Sequence, residues 1–101
     1  MKKIETFTSE MVLDLLPTNG RKSFYGKAQV FMTTNGAKIL KSYNTLIAMI
    51  TNENSVFRLC NEEACTATTN NHIKSFCGLN KKEFLLKDYK KIDLFVNFKN
   101  V

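Results

Sequence analysis

A chain of 101 residues fits one domain, expected to span residues 1–101, and leaves no room for two. Hydrophobic residues make up 44% of it, with eight Phe and three Tyr, which supports one modest packed core and argues against wholesale disorder. The formal charge is +6, the cysteines number three, and the longest apolar run, Leu46-Ile47-Ala48-Met49-Ile50, is far short of the ~20 residues of a membrane helix, so neither a disulfide framework nor a membrane span is expected.

The start, Met1-Lys2-Lys3-Ile4, has the basic residues of a signal peptide, but Glu5, Glu10 and Asp14 interrupt any apolar stretch behind it, so a reducing cytoplasm is the expected location. Thr8 or Ser9 can cap a short helix carrying Met11, Val12, Leu15 and Leu16 on one face, stopped by Pro17 and Thr18-Asn19-Gly20. The middle reads as a β-meander. Ala28 to Thr33 is followed by Asn35-Gly36, the pair that favours a type I′ hairpin turn. Strands then follow over Ala37 to Ser42, Thr45 to Thr51 and Val56 to Cys60, with Tyr43-Asn44 as a turn or bulge and Asn52-Glu53-Asn54-Ser55 as a turn.

Beyond Cys60 the period changes. Thr66 to Cys77 predicts a helix with threonine caps, an apolar face of Thr69, Ile73 and Phe76, and Gly78 at its end. Asn80-Lys81-Lys82-Glu83 is a capping box opening a second helix that carries Phe84, Leu85 and Tyr89. Ile92, Leu94, Val96 and Phe98 alternate, which predicts a closing strand. The order α-ββββ-αα-β gives an α+β fold, an antiparallel meander of four to five strands with short helices packed on one face.

No catalytic constellation stands out. Gly20 to Ala28 departs from a phosphate-binding loop in spacing, lacks its Ser or Thr, and leads into a strand. Cys60, Cys65, His72 and Cys77 are zinc-type ligands, but five helical residues turn roughly 500°, taking His72 and Cys77 off a common face. They read instead as core and loop thiols, with His72 hydrogen-bonded or solvated at a helix edge. Glu62-Glu63 are adjacent and diverge, which does not suit a general acid and base. No cofactor and no metal are expected.

Thirteen Lys, two Arg and eleven Asn read in two ways, as an electrostatic footprint or as the imprint of AT-rich coding. Two groups are candidate contact surfaces. Arg21, Lys22 and Lys27 surround Phe24 and Tyr25, with Lys38, Lys41 and Tyr43 on a neighbouring strand, an aromatic and basic sheet surface of the kind that stacks bases and holds phosphates. Lys81, Lys82, Lys87, Lys90 and Lys91 form a basic helix face.

Three stretches together carry a resemblance: Lys22-Ser23-Phe24-Tyr25-Gly26-Lys27-Ala28, then residues 40–48 around Ser42-Tyr43-Asn44-Thr45, then residues 66–76 with Thr66-Ala67-Thr68-Thr69 and His72-Ile73. The chain resembles a group of small proteins of bacteriophages and mobile elements of low-GC bacteria, in which SFYGKA, SYNTLVA and SATTxxHIxxF segments recur in this order. In that group serine often replaces the residue at Cys65. The resemblance implies a phage or mobile-element origin, a compact sheet-plus-helix domain and the cytoplasm of a bacterial host cell, and it implies no activity. Phage proteins of this size without catalytic residues commonly bind a host machine, anti-CRISPR inhibitors of nucleoprotein complexes among them. The expectation is therefore a non-enzymatic binding protein whose partner is a bacterial host protein or nucleoprotein complex. The alternative is a small basic nucleic-acid-binding accessory or regulatory protein. A homodimer is compatible with either.

Overall fold

The computed structural model of the chain describes residues 4–16 and 27–97. Strands β1 (Glu5–Asp14), β2 (Ala28–Thr33), β3 (Lys38–Ser42), β4 (Thr45–Ile50) and β5 (Val56–Arg58) precede a 3-10 turn over Glu62–Ala64. Helices α1 (Ala67–Cys77) and α2 (Lys81–Leu85) follow, and β6 (Ile92–Val96) comes last. The fold is α+β. Its six strands form one sheet in the order β5-β4-β3-β2-β1-β6.

Two features depart from the expected meander. The first segment is a strand, not a helix, and the reason lies in its register. An irregularity between Ser9 and Met11 breaks the alternation, so Phe7 and Val12 face one side while Met11 and Leu13 face the other. That skip mimics helical spacing. Ser9 holds it, donating from Oγ towards the carbonyls of Met11 and Met32, each 2.9 Å away, so a fully buried hydroxyl is satisfied. The second departure is β6, which runs parallel to β1, from Glu5↔Ile92 to Ser9↔Val96, so the sheet is mixed rather than antiparallel.

The sheet curls until its two ends meet. Tyr89, just ahead of β6, bridges to Arg58 at the end of β5. The Arg58 N–H donates to the Asp88 carbonyl at 2.9 Å and the Lys90 N–H to the Arg58 carbonyl at 2.8 Å. Arg58 lies over the Tyr89 ring, Lys90 over the Phe57 ring, and Lys90 pairs with Glu5 at 2.9 Å. Phe7, Phe31, Ile39, Met49 and Ile92 fill the inside of the curl, and Leu94 and Val96 pack against them. On the outside, α1 and α2 cover Ala28, Leu40, Ile47 and Ala48 with Ile73 and Phe84.

Most local signals are realised. Thr66 caps α1, and Gly78 ends it at φ 76°. Asn80 and Glu83 form the capping box of α2. That helix stops at Leu85, however, so Tyr89 belongs to the seam rather than to a helix. The β2–β3 turn also differs from the type I′ expectation. Only Gly36 has positive φ (87°), and the Thr33 N–H bonds the Ala37 carbonyl across a three-residue loop, the geometry that pairs an ordinary turn with a left-handed glycine. Among the described residues no helix is long and apolar enough to cross a membrane.

Candidate functional site

The β3–β4 turn brings together the end of the first of the familiar stretches (Lys27 and Ala28) and the other two. Ala28 pairs with Ser42 across β2 and β3, and the Tyr43 N–H donates to the Lys27 carbonyl at 2.8 Å. Beneath the turn, Ser42 and His72 are each only 1% exposed. Ser42 Oγ lies 2.8 Å from His72 Nδ1 and 3.2 Å from Thr69 Oγ1. Thr66 Oγ1 in turn donates to Thr69 Oγ1 at 3.3 Å and accepts from the Thr69 N–H. The cap of α1 and the end of β3 are thereby joined in one hydroxyl–imidazole chain, buried at Thr69, Ser42 and His72.

Burial, reinforced by the Lys27 cation, pushes the His72 imidazole below its ordinary value and keeps it neutral. A neutral ring leaves Nδ1 free to accept from Ser42, so the hydroxyls can donate in a single direction, Thr66 to Thr69 to Ser42 to His72. A serine bonded to a histidine also has the geometry of an activated nucleophile. Here, however, Ser42 and His72 are both sealed from solvent, so the pair faces the interior rather than an open site. The network is a support.

What it supports is Tyr43, half exposed, with its ring centroid 6.1 Å from that of His72 and 5.9 Å from Lys27 Nζ. Its φ is 54°, an unfavourable conformation for a bulky residue. The hydrogen bond to Lys27 and the buried chain under Ser42 hold the backbone there. Backbone held against its own preference is strain of the kind that clusters at functional sites.

The other candidates disperse. Arg21, Lys22, Phe24 and Tyr25 lie outside the described residues. Lys38 and Lys41, three apart on β3, point to opposite faces: Lys38 is exposed on the outer side, whereas Lys41 sits 6.0 Å from the Phe31 ring at the mouth of the curl. They do not form one surface. Lys81 and Lys82 are exposed on α2, but Lys87, Lys90 and Lys91 follow its end, Lys87 half-buried and Lys90 paired with Glu5, so the basic helix face is confined to two lysines.

Among the described residues no three His, Cys, Asp or Glu side chains cluster as a metal set. His72 turns to Ser42, not to the cysteines. Cys60 and Cys65 meet in the core under the helices, where burial and the neighbouring Cys65 push the Cys60 thiol up to about 12 despite the opposing pull of Arg58. Cys77 is raised too, chiefly by burial, and its thiol faces the Ile73 carbonyl at 3.3 Å. These are packing thiols; Cys65 lies in the loop between the 3-10 turn and α1, as expected, and is buried there.

Tyr43 is a candidate in the sequence as part of an aromatic and basic strand surface; its positive φ at the turn gives no signal, because tyrosine is a poor residue for that conformation. The Ser42–Thr69–His72 network joins two of the familiar stretches, 40–48 and 66–76, but nothing in the sequence gives its connectivity. The chain is thus a curled mixed sheet, buttressed by a short helix, that presents an aromatic turn. Residues 11–93 match the model of a family of unknown function, DUF8033, and the chain belongs to that family. No curated protein and no solved structure matches it.

Proposed function

We propose that the chain is a non-enzymatic binding protein whose contact surface centres on Tyr43 and Lys27. The observation that carries this reading is an exposed tyrosine held at positive φ over a sealed polar network. Tyrosine is a frequent anchor of protein interfaces, burying a large ring at little entropic cost. The proposed partner is a bacterial host protein or nucleoprotein complex, as for anti-CRISPR-type inhibitors, and the resemblance to phage and mobile-element proteins supports that choice. Such a protein would work in the host cytoplasm. Lys27 beside the Tyr43 ring favours the second reading, a nucleic-acid contact in which a base stacks on the ring and a phosphate meets the amine.

The test is a tagged pull-down from bacterial lysate, with and without nuclease, comparing the natural chain with Tyr43→Gly and Lys27→Ala. Tyr43→Gly removes the ring while suiting the backbone, so fold and contact are separated. A defined protein complex that survives nuclease and weakens at least about tenfold in Tyr43→Gly supports the host-partner reading. Recovery of nucleic acid, with its protein partners lost on digestion, moves the assignment to the second. Partners retained equally by both variants overturn the placement of the surface.

A further inference from the structure

The curl closes at one end only. β5 is the strand between its two margins: Val56 to Arg58 pair with Ile50 to Ala48 of β4 on one side, and Arg58 bridges to Tyr89, ahead of β6, on the other. β4 and the chain leading into β6 therefore stand two strand spacings apart there, roughly 10 Å. The Leu59 N–H makes one last bond to the Ile47 carbonyl at 2.8 Å, and Cys60 then leaves the sheet for the core beneath the helices. Beyond that point Thr45 and Leu46 form one margin and β6 the other, and no described strand lies between them.

β6 turns a row of backbone groups to this gap. The Asn97 N–H donates to the Ser9 carbonyl of β1, and the Lys90 N–H faces the other way, to the Arg58 carbonyl. Strand alternation between these two directs the N–H and C=O groups of Asp93 and Phe95 to β1, and those of Ile92, Leu94 and Val96 to the gap. None of these three has a backbone partner on that side among the described residues. Behind the gap opens a groove of about 320 Å³, with Lys41, Asn44 and Leu46 along one side, Leu94 and Val96 along the other, and the buried Phe31 below.

These features select the occupant. Unpaired backbone groups along an edge are matched by the backbone of another strand; a helix has already used its own, and an apolar small molecule has none. Lys41 on one side and Asp93 on the other balance in charge, so the groove does not favour an anion. Leu46, Leu94 and Val96 suit the alternate side chains of a strand, which all point to one face. We propose that the gap between β4 and β6 binds an extended segment of a partner protein. The segment is about five residues long, to match β6, with its backbone paired to Ile92, Leu94 and Val96 and apolar side chains at alternate positions directed into the curl. It takes the place in the sheet that β5 leaves at Cys60. The site lies on the inner side of the sheet and does not rest on the assignment of Tyr43.

The probe is a fluorescein-labelled peptide, Thr-Val-Thr-Val-Thr-Val-Thr, whose binding to the full chain is read by anisotropy and by amide hydrogen exchange. In the free chain the amides of Leu94 and Val96 should exchange quickly and those of Asp93 and Phe95 slowly, and the peptide should slow the first pair. Val96→Pro removes a gap-facing N–H while leaving the bonds to β1 in place, and should weaken binding at least about tenfold. Val96→Ala, which keeps the N–H, should weaken it less. Circular dichroism checks folding, and if Val96→Pro fails to fold, the exchange pattern decides. Four results would overturn the proposal: Leu94 and Val96 amides already protected in the free chain, no binding at millimolar peptide, binding that leaves those amides unprotected, or equal losses in the two Val96 variants. The last would mean a groove filled by apolar contact alone.

Discussion

A buried histidine hydrogen-bonded to a serine ties the stability of this fold to pH. Burial first, and Lys27 second, lower the folded pKa of His72 below its ordinary 6.5. The unfolded chain therefore binds a proton that the folded chain refuses. Full stability is present above the unfolded value, falls as pH drops from about 6.5 towards the depressed folded value, and levels off below it. Each unit of depression is worth about 1.4 kcal/mol. Urea melts at pH 7.5 and 5.5 should show this loss in the natural chain, and His72→Gln, less stable throughout, should flatten it. An equal acid-side loss in both proteins would move the effect to the carboxylates.

At the scale of single elements, two glycines separate conformational strain from crowding. Gly36 (φ 87°) and Gly78 (φ 76°) both occupy the left-handed region, but a Cβ at Gly36 would lie 3.2 Å from the Cβ of Asn52, whereas one at Gly78 meets nothing within 4 Å. Gly78→Ala should cost about 1 kcal/mol, the conformational term alone. Gly36→Ala should cost more, about 2 kcal/mol, because the β4–β5 turn must shift. Thermal melts of the two variants test the order. Such turns and caps were legible because their chemistry is local: Thr66, Gly78, Asn80 and Glu83 act within a few residues of themselves. β1 was not legible, because apolar residues fall on both of its faces, Val12 inside and Met11 and Leu13 outside, and a skip in register between Ser9 and Met11 breaks the alternation, leaving Met11, Val12, Leu15 and Leu16 to read as a helical stripe. The end of α2 was missed for a related reason. Tyr89 is claimed by Arg58, distant in sequence, and no local pattern announces it. The site was readable only as three separate stretches, since the bond from Ser42 to His72 spans 30 residues.

For the molecule as a whole, the decisive element is the last strand, because it joins the two ends of the sheet. Its backbone pairs with β1 along five residues, and the segment just before it bridges to β5. Alternation then divides its side chains. Ile92, Leu94 and Val96 enter the curl, while Phe95 stands outside at 58% exposure. Hydrophobicity alone would rank Phe95 above Leu94 in importance; position reverses the order. Leu94→Ala removes buried methyl groups from the inner cluster and should cost about 2 kcal/mol. Phe95→Ala should stay within about 0.5 kcal/mol. Ile92→Ala, the most buried of the set, should cost most, about 3 kcal/mol, a large share of the stability of a domain at the low end, ~5 kcal/mol, of the usual range. Denaturant melts of the three variants give the comparison. A Phe95 variant as unstable as the Leu94 variant would mean that β6 has slipped by one residue, and with it the parallel pairing that closes the sheet.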